Sequence, residues 1–566
     1  MYSYKLKTAK ILSSFIDGIT AEEIASMIEL PPEEKMGDLA LPCFKLSKIL
    51  HKSPAAIAED LKNSCEKSDN GALFSKIENV SGYLNFFINK DAYLEDIFEI
   101  NRNKNFGSSD IGHGKTIVID YSAPNIAKPF HIGHLRSTAI GQSIKNIFKF
   151  SGYTCVGVNH LGDWGTQFGK LIVAYKKWGS REDVEKRGIK ALTEIYVKFH
   201  KEAESDDSLN DEARAAFTKL EHHDNEYYEL WQWFVKISIA EFKKTYELIG
   251  ADFESWLGES FYYDKTDAVV KELREKNLLT VDDGASIVDL EKYGMNPCLI
   301  LKSDGSTIYA TRDIAAAIYR KKTYNFDKCI YVTSAGQSLH FAQFFKVIEL
   351  MGYSFAKDLI HVPFGTVSIG GTKLSTREGN IVLLEDIFND AIEKTLQIIN
   401  EKNPGLENKL EVAKAVGVGA VIFHDLSNGR IKDVNFVLDD VLNFDGNTGP
   451  YVQYTYARCS GIIEKSDFSP DCRDFSFSDD REVNLIKTLI LFPEKVHQAR
   501  TELEPSDISR YLLDVCQAFN RFYHDCPVLK AEDVKTRNTR LALVNATSIV
   551  LENGLKLLGL KAPKNI

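Results

Sequence analysis

Apolar positions change their period along this chain. Over Lys115–Asp120 (KTIVID) they run almost unbroken between polar ends, which predicts a buried strand; beyond it Ile140, Ile144, Ile147 and Phe148 fall on one helical face until Gly152 offers a stop. The same exchange of periods returns further on. It predicts strands at Thr154–His160, Asp304–Ala310, Cys329–Ser334 and Leu359–Thr366, with a helix over Leu339–Gly352. Strand alternating with helix is the pattern of a parallel sheet covered by helices, so the middle of the chain reads as an α/β core. A charged, mostly helical stretch at about 175–250 interrupts it, and from about Asp440 the pattern is almost wholly helical. Residues 1–105 instead combine a helical start with short β-like pieces such as Tyr83–Ile88, and Arg102–Gly114 is polar and glycine-rich, as linkers are. The expected division is 1–105 (α+β), 106–435 (the core with its helical insertion) and 436–566 (all-α).

Composition narrows the class. A chain of 566 residues can hold about three to five domains. Its 44% apolar and 26% charged residues are those of a soluble globular protein. No run approaches the ~20 apolar residues of a membrane span, and the start lacks the apolar segment and cleavage site of a secretory leader. Nine scattered cysteines without a CxxC pair do not suggest zinc and suit a reducing cytoplasm. The net charge of −11 lowers the expectation of nucleic-acid binding, although net charge does not set local potential. Acidic residues crowd into Glu202–Glu212 and Asp479–Glu482, whereas Lys128, Arg136, Lys145 and Lys149 collect around position 131.

The most chemically suggestive stretch is His131-Ile132-Gly133-His134, where the first strand hands over to its helix. Amides at a helix start lack intrahelical partners and attract phosphate. Gly133 lets a flat ring or ribose approach the backbone. His131 and His134, at i and i+3, share a face and can donate to phosphate or ribose. The plain alternatives are a pair that caps the helix or binds a metal; Asn125 and Lys128 in the same loop favour the nucleotide.

The wider strings Ser122–Thr138 (SAPNIAKPFHIGHLRST) and Val158–Gly169 (VNHLGDWGTQFG) resemble the signature of arginyl-tRNA synthetases, class I aminoacyl-tRNA synthetases with a Rossmann-like catalytic core. The resemblance covers nearly the whole chain. It runs through Gly37–Pro42, Ser81–Phe87, Tyr309–Ala315, Lys373–Asn380, Gly449–Tyr454 and Gln517–Leu529 in the family's order. It implies ATP-dependent ligation of L-arginine to tRNA(Arg) through an arginyl-adenylate, releasing AMP and pyrophosphate. ATP is then a co-substrate and Mg²⁺ is implied by its chemistry, although no metal-ligand cluster stands out in the sequence. The partners implied are tRNA(Arg) and L-arginine; neither DNA nor a membrane is expected, and the chain is expected to act as a cytoplasmic monomer.

Residue by residue, the resemblance assigns catalysis to Lys128, His131, His134 and Lys373, and ATP contacts to these together with Gly133 and Ser375. Lys373-Leu-Ser-Thr-Arg377 stands where class I enzymes carry KMSKS, after a hairpin expected to turn at Gly370-Gly371. Thr376 replaces the second lysine of that motif, and Lys128 is expected to supply the missing charge. Asp313, with Tyr309 and Gln337 beside it, matches the family's guanidinium site, where a carboxylate is the natural partner; its plain alternative is a helix N-cap. Asp120 and Asn125 match the end that meets the α-amino and carboxylate groups, and Ala123 stands where the family has serine. A site built on polar contacts rejects analogues well enough to need no editing domain, and none is visible.

For tRNA, Tyr451, Tyr454 and Arg458 lie at i, i+3 and i+7 after the Gly446–Pro450 loop and match the anticodon reader; the alternative is a core stripe. The chain end, Ile566 where the family often has methionine, is expected nearby, and Tyr83, Asn85 and Phe87 alternate on a strand expected at the tRNA elbow. The competing readings are a class I synthetase for cysteine, glutamine or glutamate, a general nucleotidylyltransferase, and a catalytically silent synthetase-like tRNA-binding protein. The family's need for tRNA before adenylation is expected here as well.

Overall fold

A computed structural model describes residues 1–68, 73–370, 372–373, 382–531 and 533–566, with positions 2, 34, 372 and 373 described by their backbone. At its centre four parallel strands, β1 (Thr116–Asp120), β2 (Thr154–Val158), β3 (Lys328–Ser334) and β4 (Leu359–Phe364), lie in the order β4-β3-β1-β2. Ile117, Val118 and Ile119 of β1 are fully buried, because helices cover both faces of such a sheet; that is why the apolar run is continuous rather than alternating. Helix α1 (Ile132–Phe150) carries the chain from β1 to β2, and β3 later adds on the other side of β1. Between β1 and β3 the strand order therefore reverses, and open α/β sheets bind ligands beyond the carboxyl ends of the strands at such a point.

Asp304–Ala310 is not a strand. Gly305 at φ 82° and the bond from Lys302 N–H to Ser306 O (2.9 Å) close a turn there, and a helix begins at Tyr309. The strand just upstream, Cys298–Leu301, instead joins a small antiparallel sheet with Thr280–Asp282 and Ala285–Val288. The insertion is helical as expected. Its main members are α2 (Ile189–Ala203) and the long α3 (Asn225–Ile249), whose buried stripe Phe234, Ser238, Phe242 and Tyr246 repeats every four residues.

Helices α4 (Tyr309–Tyr324) and α5 (Ser338–Leu350) flank β3 in sequence, and α6 (Lys409–Ser427) leads to the C-terminal helices α7 (Gly449–Glu464), α8 (Ser506–Asp525) and α9 (Val534–Leu557). After β4 come β5 (Val367–Ile369), which pairs antiparallel with β6 (Thr372–Lys373) and parallel with β7 (Val434–Phe436). The N-terminal region packs a three-stranded antiparallel sheet, with Tyr83–Ile88 in its centre, against helices. Asn101 bonds Ala542 O (3.1 Å), tying that region to α9. Among the described residues no helix is long and apolar enough to cross a membrane.

Candidate active site

The loop from β1 to α1 is bent by residues that rarely adopt such shapes. Ser122, Ala123 and Ala127 have φ of 73°, 47° and 57°, left-handed values that cost a non-glycine residue roughly 1–2 kcal/mol each. The bond from Ala123 N–H to Tyr121 O (3.1 Å) closes a γ-turn around Ser122, a strained turn held by its surroundings. Ser122 N–H donates to Ser137 Oγ (2.9 Å), and Ser122 Oγ lies 2.7 Å from the Tyr246 hydroxyl of α3. Asn125 is exposed on this loop and pairs with Gly162, where an added Cβ would lie 2.0 Å from Asn125 Oδ1. A side chain at that point of the second signature string would push the Asn125 amide aside.

At the helix start the two histidines cap each other. His131 Nδ1 accepts from Gly133 N–H (3.1 Å), and His134 Nδ1 accepts from His131 N–H (3.2 Å). These two amides are therefore not free for phosphate, contrary to the expectation for an uncapped helix. The consequence is chemical. Both Nδ1 atoms are acceptors, so in the neutral rings the proton sits on Nε2, which becomes the donor left for a ligand. Burial keeps the rings neutral: it lowers the His131 pKa and, with the charge of its neighbours, takes His134 down to about 3. The rings lie 3.8 Å apart, close enough to address one ligand.

The basic cluster read around position 131 mostly dissolves. Arg136, 1% exposed, pairs through Nε with Asp425 (3.0 Å) and donates to the carbonyls of Lys432 and Arg430 (2.7 and 3.2 Å). Burial pushes the Asp425 carboxyl up to about 6. Lys145 is buried against Asp252 and Glu254 (2.9 and 2.8 Å), and Lys149 reaches the same carboxylates. Lys128 is exposed, and partial desolvation lowers its pKa; Lys149 is exposed too, but is engaged by Asp252 and Glu254. The backbone of Lys373 ends β6 opposite Ser368; Ser375 lies outside the described residues.

Around the carboxyl ends of β1 and β3 the structure gathers acidic groups. Asp120 ends β1 and pairs with the buried Arg320 (2.8 Å). Asp313 is the fifth residue of α4, whose N-cap is Ile308, so the capping alternative does not hold. One Asp313 oxygen accepts from His340 Nε2 at 2.6 Å. His160, whose pKa is lowered by burial, lies with Nδ1 3.3 Å from the same Arg320 guanidinium. Tyr309 is 65% exposed, with the Arg312 guanidinium 5.0 Å from its ring, and Arg312 is held by Glu259 (3.2 Å). Burial raises Glu259 to about 7, assisted by the charges of Asp313 and Asp163. Gln337 is exposed in the turn after β3. Sequence reading missed His340, Arg320 and Glu259. The two residues from α4 and α5 carried a faint signal, Arg320 seven positions after Asp313 and His340 three after Gln337; Glu259 carried none.

Two further surfaces lie away from this centre. On α7, Tyr454 is 41% exposed, while Tyr451 and Arg458 are half-buried and both bond Asn520 (2.8 and 2.9 Å). The Arg458 guanidinium stands 5.0 Å from the Tyr454 ring and 5.4 Å from Tyr523 of α8, an exposed aromatic the sequence reading did not single out. The core-stripe reading thus fails at Tyr454. Phe444 meets Tyr454 edge-on at 6.5 Å and has the Lys402 ammonium 5.9 Å from its ring, and Asn403, next to Lys402, bonds Ile566 O (3.3 Å). In the N-terminal sheet Tyr83 is exposed and meets Phe44 edge-on at 5.2 Å; Phe87 is half-covered, with the Lys76 ammonium 5.1 Å away, and Asn85 is buried at 7% exposure.

Known proteins share this arrangement from end to end. The family model for the catalytic domain of class I tRNA synthetases (R) matches residues 96–438, that for the DALR anticodon binding domain residues 452–566, and that for the arginyl tRNA synthetase N-terminal domain residues 5–88. The arginine–tRNA ligase of Alkaliphilus metalliredigens is 51% identical, with all of both chains covered, and that of Clostridioides difficile is 50% identical over the same shares. Among solved structures, Thermus thermophilus arginyl-tRNA synthetase superposes with a TM-score of 0.83 at 24% identity, covering 100% of this chain and 99% of its own. Plasmodium falciparum arginyl-tRNA synthetase gives 0.82 at 25% identity over the same shares. The catalytic-domain model covers more than half of the chain, and relatives named arginine–tRNA ligase are about half identical over its whole length; the chain belongs to the arginyl-tRNA synthetases, class I enzymes that join arginine to tRNA.

Proposed function

We propose that ATP lies across the β1–α1 loop, with its ribose against Gly133 and its phosphates facing the Nε2–H donors of His131 and His134 and the ammonium of Lys128. Asp313 takes the guanidinium of arginine between Tyr309 and Gln337, while Asp120 and Asn125 hold the other end. The substrate carboxylate then attacks the α-phosphorus of ATP; the bond to the bridging oxygen breaks, and pyrophosphate leaves with the electron pair. The terminal ribose hydroxyl of tRNA(Arg) next attacks the mixed-anhydride carbonyl, forming the ester and releasing AMP. Such displacement needs positioning and charge more than covalent help. Neutral histidines suit the task because they donate hydrogen bonds without a charge that would trap pyrophosphate.

Lys128, an exposed cation of its cluster, replaces the charge absent at Thr376, and Lys373 acts from the end of β6. Mg²⁺ is implied by the chemistry of ATP and would be supplied with the triphosphate. Tyr454, Arg458 and Tyr451 meet unpaired anticodon bases, and Tyr83 with Phe87 meets the tRNA elbow. The protein works as a monomer in the cytoplasm. With one loop cation missing, tRNA bound at both surfaces favours the closed loop, so tRNA precedes adenylation.

The observation that carries this reading is the mutual cap of His131 and His134, which turns both rings into neutral Nε2 donors beside Lys128. Its test is adenylation by Lys128→Ala in a single turnover with tRNA(Arg) present. The rate should fall by about 10²–10³, the cost of one lost transition-state donor, with arginine KM nearly unchanged; an unaltered rate overturns the assignment. Arginine-dependent ATP–pyrophosphate exchange should be near background without tRNA and appear on its addition. Strong exchange in tRNA-free protein overturns the order.

A further inference from the structure

Lys128 sits in an unusual frame. Pro129 follows it and confines its backbone to extended conformations. Ala127 precedes it at φ 57°, a left-handed conformation that an alanine does not hold unaided. The direction of the Lys128 side chain therefore depends on what holds Ala127.

What holds it is the helical insertion. The Ala127 N–H donates to Ser238 Oγ of α3 at 3.0 Å; its carbonyl lies 3.4 Å from Thr193 Oγ1 of α2, which donates primarily to Ile189 O at 2.9 Å and shares its proton only weakly with Ala127. Ser238 is fully buried, and its own proton goes to Phe234 O one turn back (2.8 Å), so its oxygen faces Ala127 purely as an acceptor. The same face of α3 supports the loop twice more. Phe242 meets Phe130 edge-on at 5.9 Å, and Tyr246 meets Phe130 at 5.5 Å as well as reaching Ser122.

We infer that Ser238, with Thr193 as its weaker counterpart, is a positioning residue for adenylation: the insertion holds the N–H of the strained Ala127, touches its carbonyl, and thereby aims Lys128 at the phosphates. The inference rests on the proposed role of Lys128 and adds how that role depends on a part of the chain that bears none of the signature motifs. The insertion is then a working part of the ATP site and not a spacer within the core.

The test is a double-mutant cycle read by single-turnover adenylation with ATP, arginine and tRNA(Arg), using the full-length protein. Ser238→Ala should slow the step about tenfold, since small misplacements of a reacting group are costly, with arginine KM changed less than about twofold. Thr193→Val, nearly isosteric, should give a smaller loss of the same kind and serves if Ser238→Ala does not fold by thermal unfolding. In a Lys128→Ala background neither change should lower the rate further, because the group being aimed is gone; a merely structural role gives additive losses. Additive losses overturn the clamp, as do wild-type rates in both clamp variants while Lys128→Ala is impaired. A wild-type rate in Lys128→Ala itself overturns the role of Lys128, and the clamp with it.

Discussion

Replacing Asp313 by asparagine keeps the shape of the side chain and removes its charge. The carboxylate is about one-quarter exposed (24%) and has one oxygen bonded to His340 at 2.6 Å. A fully desolvated charge pair loses about 2–5 kcal/mol or more when one partner is removed, and partial exposure places this site toward the lower part of that range, about 2–3.5 kcal/mol. A direct Coulomb figure of about 4 kcal/mol at 4 Å and an effective dielectric of 20 sets a consistent ceiling. At 1.4 kcal/mol per decade, kcat/KM for arginine should fall by about 30- to 300-fold. Citrulline, neutral and nearly isosteric, never made the charge pair, so its weak use should change little. The preference for arginine over citrulline should shrink by the same factor. Aminoacylation of tRNA(Arg) at varied arginine, with citrulline as alternative substrate, measures both. An Asp313→Asn enzyme that keeps its full preference would refute the pairing of this carboxylate with the guanidinium.

Glu259, raised to about 7 by burial, is protonated below that pH and adds its negative charge beside Asp313 only above it. Arginine KM should therefore fall by about threefold from pH 6 to pH 8 and stay level in Glu259→Gln; a level wild-type profile contradicts this. Nδ1 of His134 accepts from the His131 amide; with Nε2 as the proposed donor to ATP, His134→Gln, which keeps a donor near Nε2, should retain more adenylation than His134→Asn, which mimics Nδ1. The reverse order would place the catalytic donor elsewhere. Tyr454→Ala removes the exposed layer beside Arg458 and should raise the KM for tRNA about 5- to 100-fold, on the ~1–3 kcal/mol worth of a stacked base, with arginine KM unchanged. Normal tRNA binding by that variant would return Tyr454 to a packing role.

What the sequence disclosed follows from how local each signal was. β1 and α1 were legible because Ile117–Ile119 and the later Ile140, Ile144 and Ile147 are buried by the very period they display. Tyr83–Ile88 was equally plain, yet its alternation did not reveal that Asn85 is covered while Tyr83 is open. The start of α4 misled, since the apolar Ile308 and Tyr309 after a turn look like a strand until the helix beyond claims Tyr309. Electrostatics was the least legible. Lys145 meets Asp252 and Glu254, Arg136 meets Asp425, and Asp313 meets His340. Such partners come together only in the folded chain, so a cluster of lysines along the sequence did not become a basic surface. The histidine cap stood in the sequence only as the plain alternative, because Ser, Thr, Asp and Asn are the usual cap residues and nothing in the spelling HIGH marks a reciprocal cap.

The most direct measurement is aminoacylation of total tRNA by the purified protein with each proteinogenic amino acid in turn, supplied with ATP and Mg²⁺. Arginine alone should be charged, to the level of the tRNA(Arg) present, with AMP and pyrophosphate released in step. Charging with a different amino acid, or none with arginine, would contradict the assignment of this site.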